Sequence, residues 1–142
     1  MSRIKAYVAC SLTHSPQEFK DSIDLFKSKL RKHIEVLDFI GLNNPNAQND
    51  QFVFEWDIKH VRDADILIAD FTHITIGAGI EWGVAMQIGK PIITLAKKDV
   101  VISRFPFGHV ANNHFSYRYT THDDAFEFVM NKLSIIFPKF RR

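Results

Sequence analysis

The chain has 142 residues, 46% of them hydrophobic and 24% charged, with a formal net charge of +2. That is enough apolar material for one domain, 1–142, with a sizeable core, and too mild a charge for a nucleic-acid polymer as partner, although a small anionic ligand is compatible. No apolar run approaches the roughly 18 residues of a membrane span, no long apolar signal core opens the chain, and the lone Cys10 excludes an intramolecular disulfide, so a cytoplasmic protein with no membrane partner is expected.

Residues 4–10 read as the first strand and 11–16 as the loop beyond it. Ser15, Pro16 and Glu18 form a helix-start signature: a capping side chain, Pro at the first helical position, and Glu three residues after the cap. Phe19, Ile23, Phe26 and Leu30 then recur at three- and four-residue spacing, predicting an amphipathic helix to about residue 32. A second strand is predicted over 34–39. Residues 41–50, rich in Asn and carrying Pro45, have no regular pattern and are long enough for a lid or an unstructured connection. Residues 51–63 have helical character, with Phe54, Ile58 and Val61 on one side and Asp57 next to them.

The run 66–70, ending in Asp70, is short, apolar and flanked by turn residues, as a buried strand of a parallel sheet is. A Gly-containing loop and a helix follow, then a strand over 91–96 and an irregular stretch over 97–113 in which 100–102 reads as a helical turn. Residues 114–119 alternate like a fifth strand, at an edge. Residues 123–137 close the chain as a helix with Phe126, Val129, Met130 and Leu133 on its buried face, and 139–142 read as a basic, solvated tail. Strands alternating with helices in this way predict an α/β fold, a three-layer doubly wound (Rossmann- or flavodoxin-like) five-stranded, mainly parallel sheet.

Such sheets bind ligands beyond the carboxyl ends of their central strands, where Glu81 is predicted in the first turn of a helix. Ile80, Val84 and Ile88, four apart, read as the seam that faces the sheet, which aims Glu81 at the crevice edge. The positive end of the helix dipole favours an ionised carboxylate there, available as a nucleophile. Acidic residues are equally common in first turns because they stabilise them, so spacing alone leaves both readings open.

Gly77, Gly79 and Gly83 are spaced G-x-G-x-x-x-G, one residue too long for a dinucleotide fingerprint, and no nicotinamide cofactor is expected. Their simpler meaning is a tight loop that lets a ligand approach backbone N–H groups at a helix start. The seven histidines include no i,i+4 helical pair and no Cys partner cluster, so no metal is expected either. Trp56, Phe105 and Phe107 are candidates for stacking on a base, with packing as the plainer role, and Cys10 reads as a packing residue.

Taken together, Tyr7 in the first strand, a Ser-containing loop after it, Asp57 eight residues before Asp65, and Gly77-Ala78-Gly79-Ile80-Glu81-Trp82-Gly83 running into Gly89-Lys90-Pro91 resemble the nucleoside 2-deoxyribosyltransferase superfamily. The likeness is closest to its 2'-deoxynucleoside 5'-phosphate N-hydrolase branch. It implies that Glu81 is the nucleophile at the anomeric carbon, that Asp57 is the acid/base acting on the departing nucleobase, and that Tyr7 orients Glu81, with no metal or organic cofactor. Cleaving an N-glycosidic bond with retention calls for such a pair of carboxyl groups. The resemblance further implies that Ser11, Thr75, Gly77 and Gly79 bind substrate, and that Ser103 reaches the neighbouring subunit's site in a homodimer or larger homo-oligomer.

Thr75 stands where the transferases carry an acidic residue for a free 5'-hydroxyl. A neutral hydroxyl suits a phosphate, beside which a carboxylate would cost several kcal/mol in a partly dry pocket. Trp82, in place of a smaller aliphatic residue, and Thr13 and His14, in place of a Gly/Arg-type phosphate clamp, depart from the family pattern. The expected function is hydrolysis of 2'-deoxynucleoside 5'-monophosphates to nucleobase and 2-deoxyribose 5-phosphate through a covalent glycosyl-Glu intermediate. A transferase exchanging bases between 2'-deoxynucleosides, and a non-catalytic nucleotide-binding or sensor domain, are the alternatives.

Overall fold

Five strands, each flanked by a helix or a long connection, pair side by side in a computed structural model that describes residues 3–41 and 43–142. In chain order the elements are β1 (Lys5–Cys10), α1 (Gln17–Arg31), β2 (Glu35–Leu37), α2 (Asp50–Asp63), β3 (Ile66–Asp70), α3 (Ile76–Gln87), β4 (Ile92–Lys97), a single 3-10 turn (Phe105–Phe107), β5 (His114–Tyr119) and α4 (His122–Ile136). All strand pairs are parallel, in the order β2-β1-β3-β4-β5. Parallel neighbours need crossovers, and right-handed crossovers from a sheet wound outward in both directions put helices on both faces. The winding reverses between β1 and β3, which opens a crevice at their carboxyl ends.

Alternation along β1 divides the core. Ala6, Val8 and Cys10 pack with Phe19, Ile23, Phe26 and Leu30 of α1 and with Val129 and Leu133 of α4. Tyr7 and Ala9 face the other way, onto Val61 of α2 and Ala78, Trp82 and Ala85 of α3. Being covered on both sides is why the strands read as continuous apolar runs. At the carboxyl end of β3, buried Asp70 accepts from Thr72 N at 2.9 Å, from Thr72 Oγ1 at 2.6 Å and from the Tyr119 hydroxyl at 2.6 Å. His122 Nε2 lies 3.1 Å from the same carboxylate, and its Nδ1 meets Ser22 Oγ of α1. This network ties β3, β5, α1 and α4 together with its buried polar groups satisfied.

The architecture, the parallel sheet and the edge position of β5 agree with the sequence, but several local expectations do not. Ser15 does not cap α1: Pro16 is the N-cap, without a side-chain bond, and the Ser15 hydroxyl donates to Ser11 O at 2.9 Å, holding the loop closed instead. The second strand is shorter than 34–39, and 100–102 is not helical; the turn there is the 3-10 segment Phe105–Phe107. Trp56 is not a loop aromatic but lies in α2, stacked on His60 at 4.8 Å, and Phe54 of the same helix is exposed. The tail is not merely solvated: Phe140 is buried in the core and the Arg142 guanidinium donates two hydrogen bonds to the Glu127 carboxylate, at 2.8 and 2.7 Å. Of the predicted 41–50 loop, residues 43–48 form turns and Leu42 lies outside the described residues.

Candidate active site

The helix carrying Glu81 is set differently from the sequence expectation. Thr75 is its N-cap, accepting from Ala78 N at 3.2 Å, so α3 begins at Ile76 and contains Gly77 and Gly79. Glu81 therefore lies in the second turn, not the first, beyond the strongest reach of the helix dipole. The predicted seam is also rotated: Ile80 is 53% and Ile88 48% exposed, while Ala78, Trp82 and Ala85 are the buried side. Two alanines let the helix approach the sheet closely, and that brings Glu81 down beside Tyr7 rather than to the crevice edge.

A cavity of about 300 Å³ opens there. Tyr7 from β1, Ser11 from the following loop, Asp57 from α2, and Thr75, Gly77 and Glu81 from the start of α3 all line it, together with His14, Cys10 and Phe39. Six of the eight residues expected from the sequence thus meet in one place. Gly79 and Ser103 do not; they line a neighbouring, largely apolar cavity of about 660 Å³ with Trp82 and Phe105, which adjoins the first through Ile74 and Thr75. The larger cavity lacks both carboxylates, which line the smaller. The Trp82 indole, donating to Thr94 Oγ1 at 3.0 Å, is a packing residue behind that apolar wall.

Burial is the main influence on Glu81, and with the charge of Asp57 it pushes the carboxyl up to about 7, against the opposing pull of the Tyr7 hydroxyl and the Lys27 ammonium. Glu81 Oε2 is buried and has no hydrogen-bond partner among the described residues. Desolvation thus opposes the ionisation that the sequence reading ascribed to the helix dipole. Asp57 is also raised by burial, and held back by the Ile40 N–H, which donates to Oδ1 at 3.0 Å, and by His60. The Tyr7 phenol is pushed far above its ordinary value by burial and then by Glu81, so it stays protonated and acts only as a donor toward that carboxylate. Cys10 is pushed up to about 11, chiefly by burial, and remains a thiol.

The sequence reading missed Lys27 and Phe39. Phe39 carries no motif. Lys27 did leave a signal, since it falls four residues after Ile23 and three before Leu30, on the buried face of α1. Among the described residues no group of three or more His, Cys, Asp and Glu side chains is arranged to hold a metal ion.

The profile of the family described as nucleoside 2-deoxyribosyltransferase matches residues 6–131. A 5-hydroxymethyl-dUMP N-hydrolase of Rattus norvegicus is 35% identical over 66 residues, 46% of this chain and 40% of that protein. A Thermofilum pendens protein carrying the provisional name 2'-deoxynucleoside 5'-phosphate N-hydrolase 1 is 31% identical over 102 residues, 69% of this chain and 68% of its own. In structure, the Clostridium botulinum CMP N-glycosidase superposes with a TM-score of 0.62 at 22% identity, covering 89% of this chain and 98% of that one, a likeness of fold. The chain spans less than half the length of the rat relative it matches.

Proposed function

This chain belongs to the nucleoside 2-deoxyribosyltransferase family, and from that premise we propose that it hydrolyses the N-glycosidic bond of 2'-deoxynucleoside 5'-monophosphates. The observation that carries this reading is the convergence of Glu81, Asp57 and Tyr7 on one cavity at the reversal of the sheet. The Glu81 carboxylate attacks the anomeric carbon as the bond to the base nitrogen breaks. The bonding pair leaves with the base, which takes a proton from Asp57. A water then attacks the glycosyl ester, giving its proton to Asp57 and returning Glu81 as a carboxylate. Tyr7 steadies Glu81 in both steps.

The 5'-phosphate is met by the backbone N–H groups at the start of α3 and by the Ser11 and Thr75 hydroxyls, donors of the kind that bind anions without charge. Gly79 and Ser103 serve the same end from the adjoining cavity, Ser103 in the site of a second copy of the chain. One observation favours the base-exchanging transferase as second reading: no Lys or Arg lines the smaller cavity among the described residues, which also suits a neutral 5'-hydroxyl.

Incubation with deoxynucleoside monophosphates and with deoxynucleosides, each with and without an added acceptor base, separates the two. Free base with 2-deoxyribose 5-phosphate is expected. A new nucleoside formed at the expense of free sugar would overturn hydrolysis in favour of exchange.

A further inference from the structure

Lys27 is a lysine where the core pattern of α1 calls for an apolar residue, and it is only 3% exposed. Its Nζ sits 4.2 Å from the centroid of the Phe39 ring and 4.0 Å from Asp38 Oδ1. That oxygen is already engaged, accepting from Arg31 at 2.7 Å, and the Asp38 side chain is 55% exposed. A buried ammonium held so loosely by its nominal partner is costly unless another negative charge shares the region. Phe39, whose ring the ammonium touches, lines the cavity that holds Glu81, and the buried Oε2 of Glu81 lacks a hydrogen-bond partner among the described residues. An under-paired cation and an under-paired anion thus lie about one cavity wall.

We propose that Lys27 is a positioning residue for Glu81, a buried counter-charge behind the Phe39 wall that keeps the carboxylate ionised before attack and stabilises it again when it departs from the sugar. The inference rests on Glu81 being the nucleophile of the proposed reaction. Its logic is electrostatic: a buried cation that touches Phe39, a wall residue of the cavity holding Glu81, acts more strongly on that carboxylate than it would through solvent. The other groups facing Glu81 are Tyr7 and Cys10 of β1, His14 of the loop after it, and Asp57 of α2. Of these the phenol and the thiol are neutral, and the charge on Asp57 opposes that of Glu81. Among the groups acting on the carboxyl, Lys27 is the cation.

The direct test is a ¹³C-NMR titration of the Glu81 carboxyl, assigned with Glu81→Gln, in the unmutated protein, Lys27→Met and Lys27→Arg. Methionine keeps the length and apolar packing and removes the charge. The midpoint is expected to rise by about one pH unit or more in Lys27→Met, roughly a tenfold smaller ionised fraction below it, and to return in Lys27→Arg. In kinetics, kcat/KM of Lys27→Met should fall about tenfold below pH 7 and converge on the unmutated value above pH 8. A role in packing alone lowers the rate equally at every pH.

An unmoved midpoint in folded Lys27→Met overturns the proposal. If that variant does not fold, Lys27→Gln makes the same comparison. Because the titration needs no turnover, a protein that cleaves no nucleotide but shows the shifted midpoint sinks the hydrolase reading and leaves the counter-charge standing.

Discussion

Glu81 is held between two demands. As the proposed nucleophile it must be ionised, yet burial and Asp57 move its carboxyl from the ordinary 4.5 to about 7. Between those values the native state binds the proton more tightly than the unfolded chain, so this residue's contribution to stability falls as pH rises through that window and is fully unfavourable above 7. A shift of that size corresponds to about 3 kcal/mol. Glu81→Gln should therefore stabilise the protein by up to about 3 kcal/mol at pH 8 and by almost nothing at pH 4, read from urea unfolding. The same substitution should lower cleavage on the order of 10³-fold or more. Equal effects at both pH values would mean that the carboxyl is not desolvated. The rate has its own pH signature. Both carboxyls are raised and share one cavity, so the productive state carries a single proton, on Asp57, with the charge on Glu81. Since the pair loses its last proton near 7, kcat/KM should decline on the alkaline side of about pH 7. A profile that climbs steadily to pH 9 would remove Asp57 from the role of acid.

At the scale of elements, α2 bears Asp57, the proposed acid, on a slender base. Val61 is its buried residue, and its start depends on Asn49, whose side chain accepts from Phe52 N at 3.0 Å. Asn49→Ala should cost about 1 kcal/mol in thermal or urea unfolding, and should speed amide exchange over residues 50–57 more than over α1. Exchange that accelerates uniformly would show that α2 has no local stability of its own. The helices also show what a sequence discloses. For α1 and α4 the apolar stripe is one-sided, and their buried faces were legible residue by residue. In α3, Ile76, Ile80 and Ile88 are exposed while Ala78 and Ala85 are buried, so the apolar pattern runs round the helix and close approach by small residues, not hydrophobicity, chose the face. Of the predicted seam of Ile80, Val84 and Ile88, Val84 packs against the core and the two isoleucines do not. That Glu81, Asp57 and Tyr7 share a cavity at the carboxyl ends of β1 and β3 agrees with the sequence reading. Desolvation of Glu81 was not, because it depends on how far α3 sinks toward β1.

For the molecule as a whole, the reversal of the sheet explains where the site lies, and the apolar surface around it bears on whether one chain suffices. Val101 is 99% and Phe105 79% exposed, at the rim of the larger cavity that also carries Ser103; Ile74 stands exposed where the two cavities adjoin, and Ile76 stands exposed on the smaller. Neighbouring large apolar side chains left in water on an otherwise well-packed domain are the kind of surface that a second copy would cover in the proposed homo-oligomer. Cover by a second copy would seat Ser103 near a partner's substrate, so assembly and turnover should fail together. Val101→Asp combined with Phe105→Asp should convert the assembly to monomers in sedimentation velocity, leave the thermal unfolding of the fold within a few degrees, and lower kcat/KM more for monophosphates than for nucleosides. An unmutated protein that sediments as a monomer at tens of micromolar while fully active would show that each chain works alone, with Ser103 serving packing rather than phosphate.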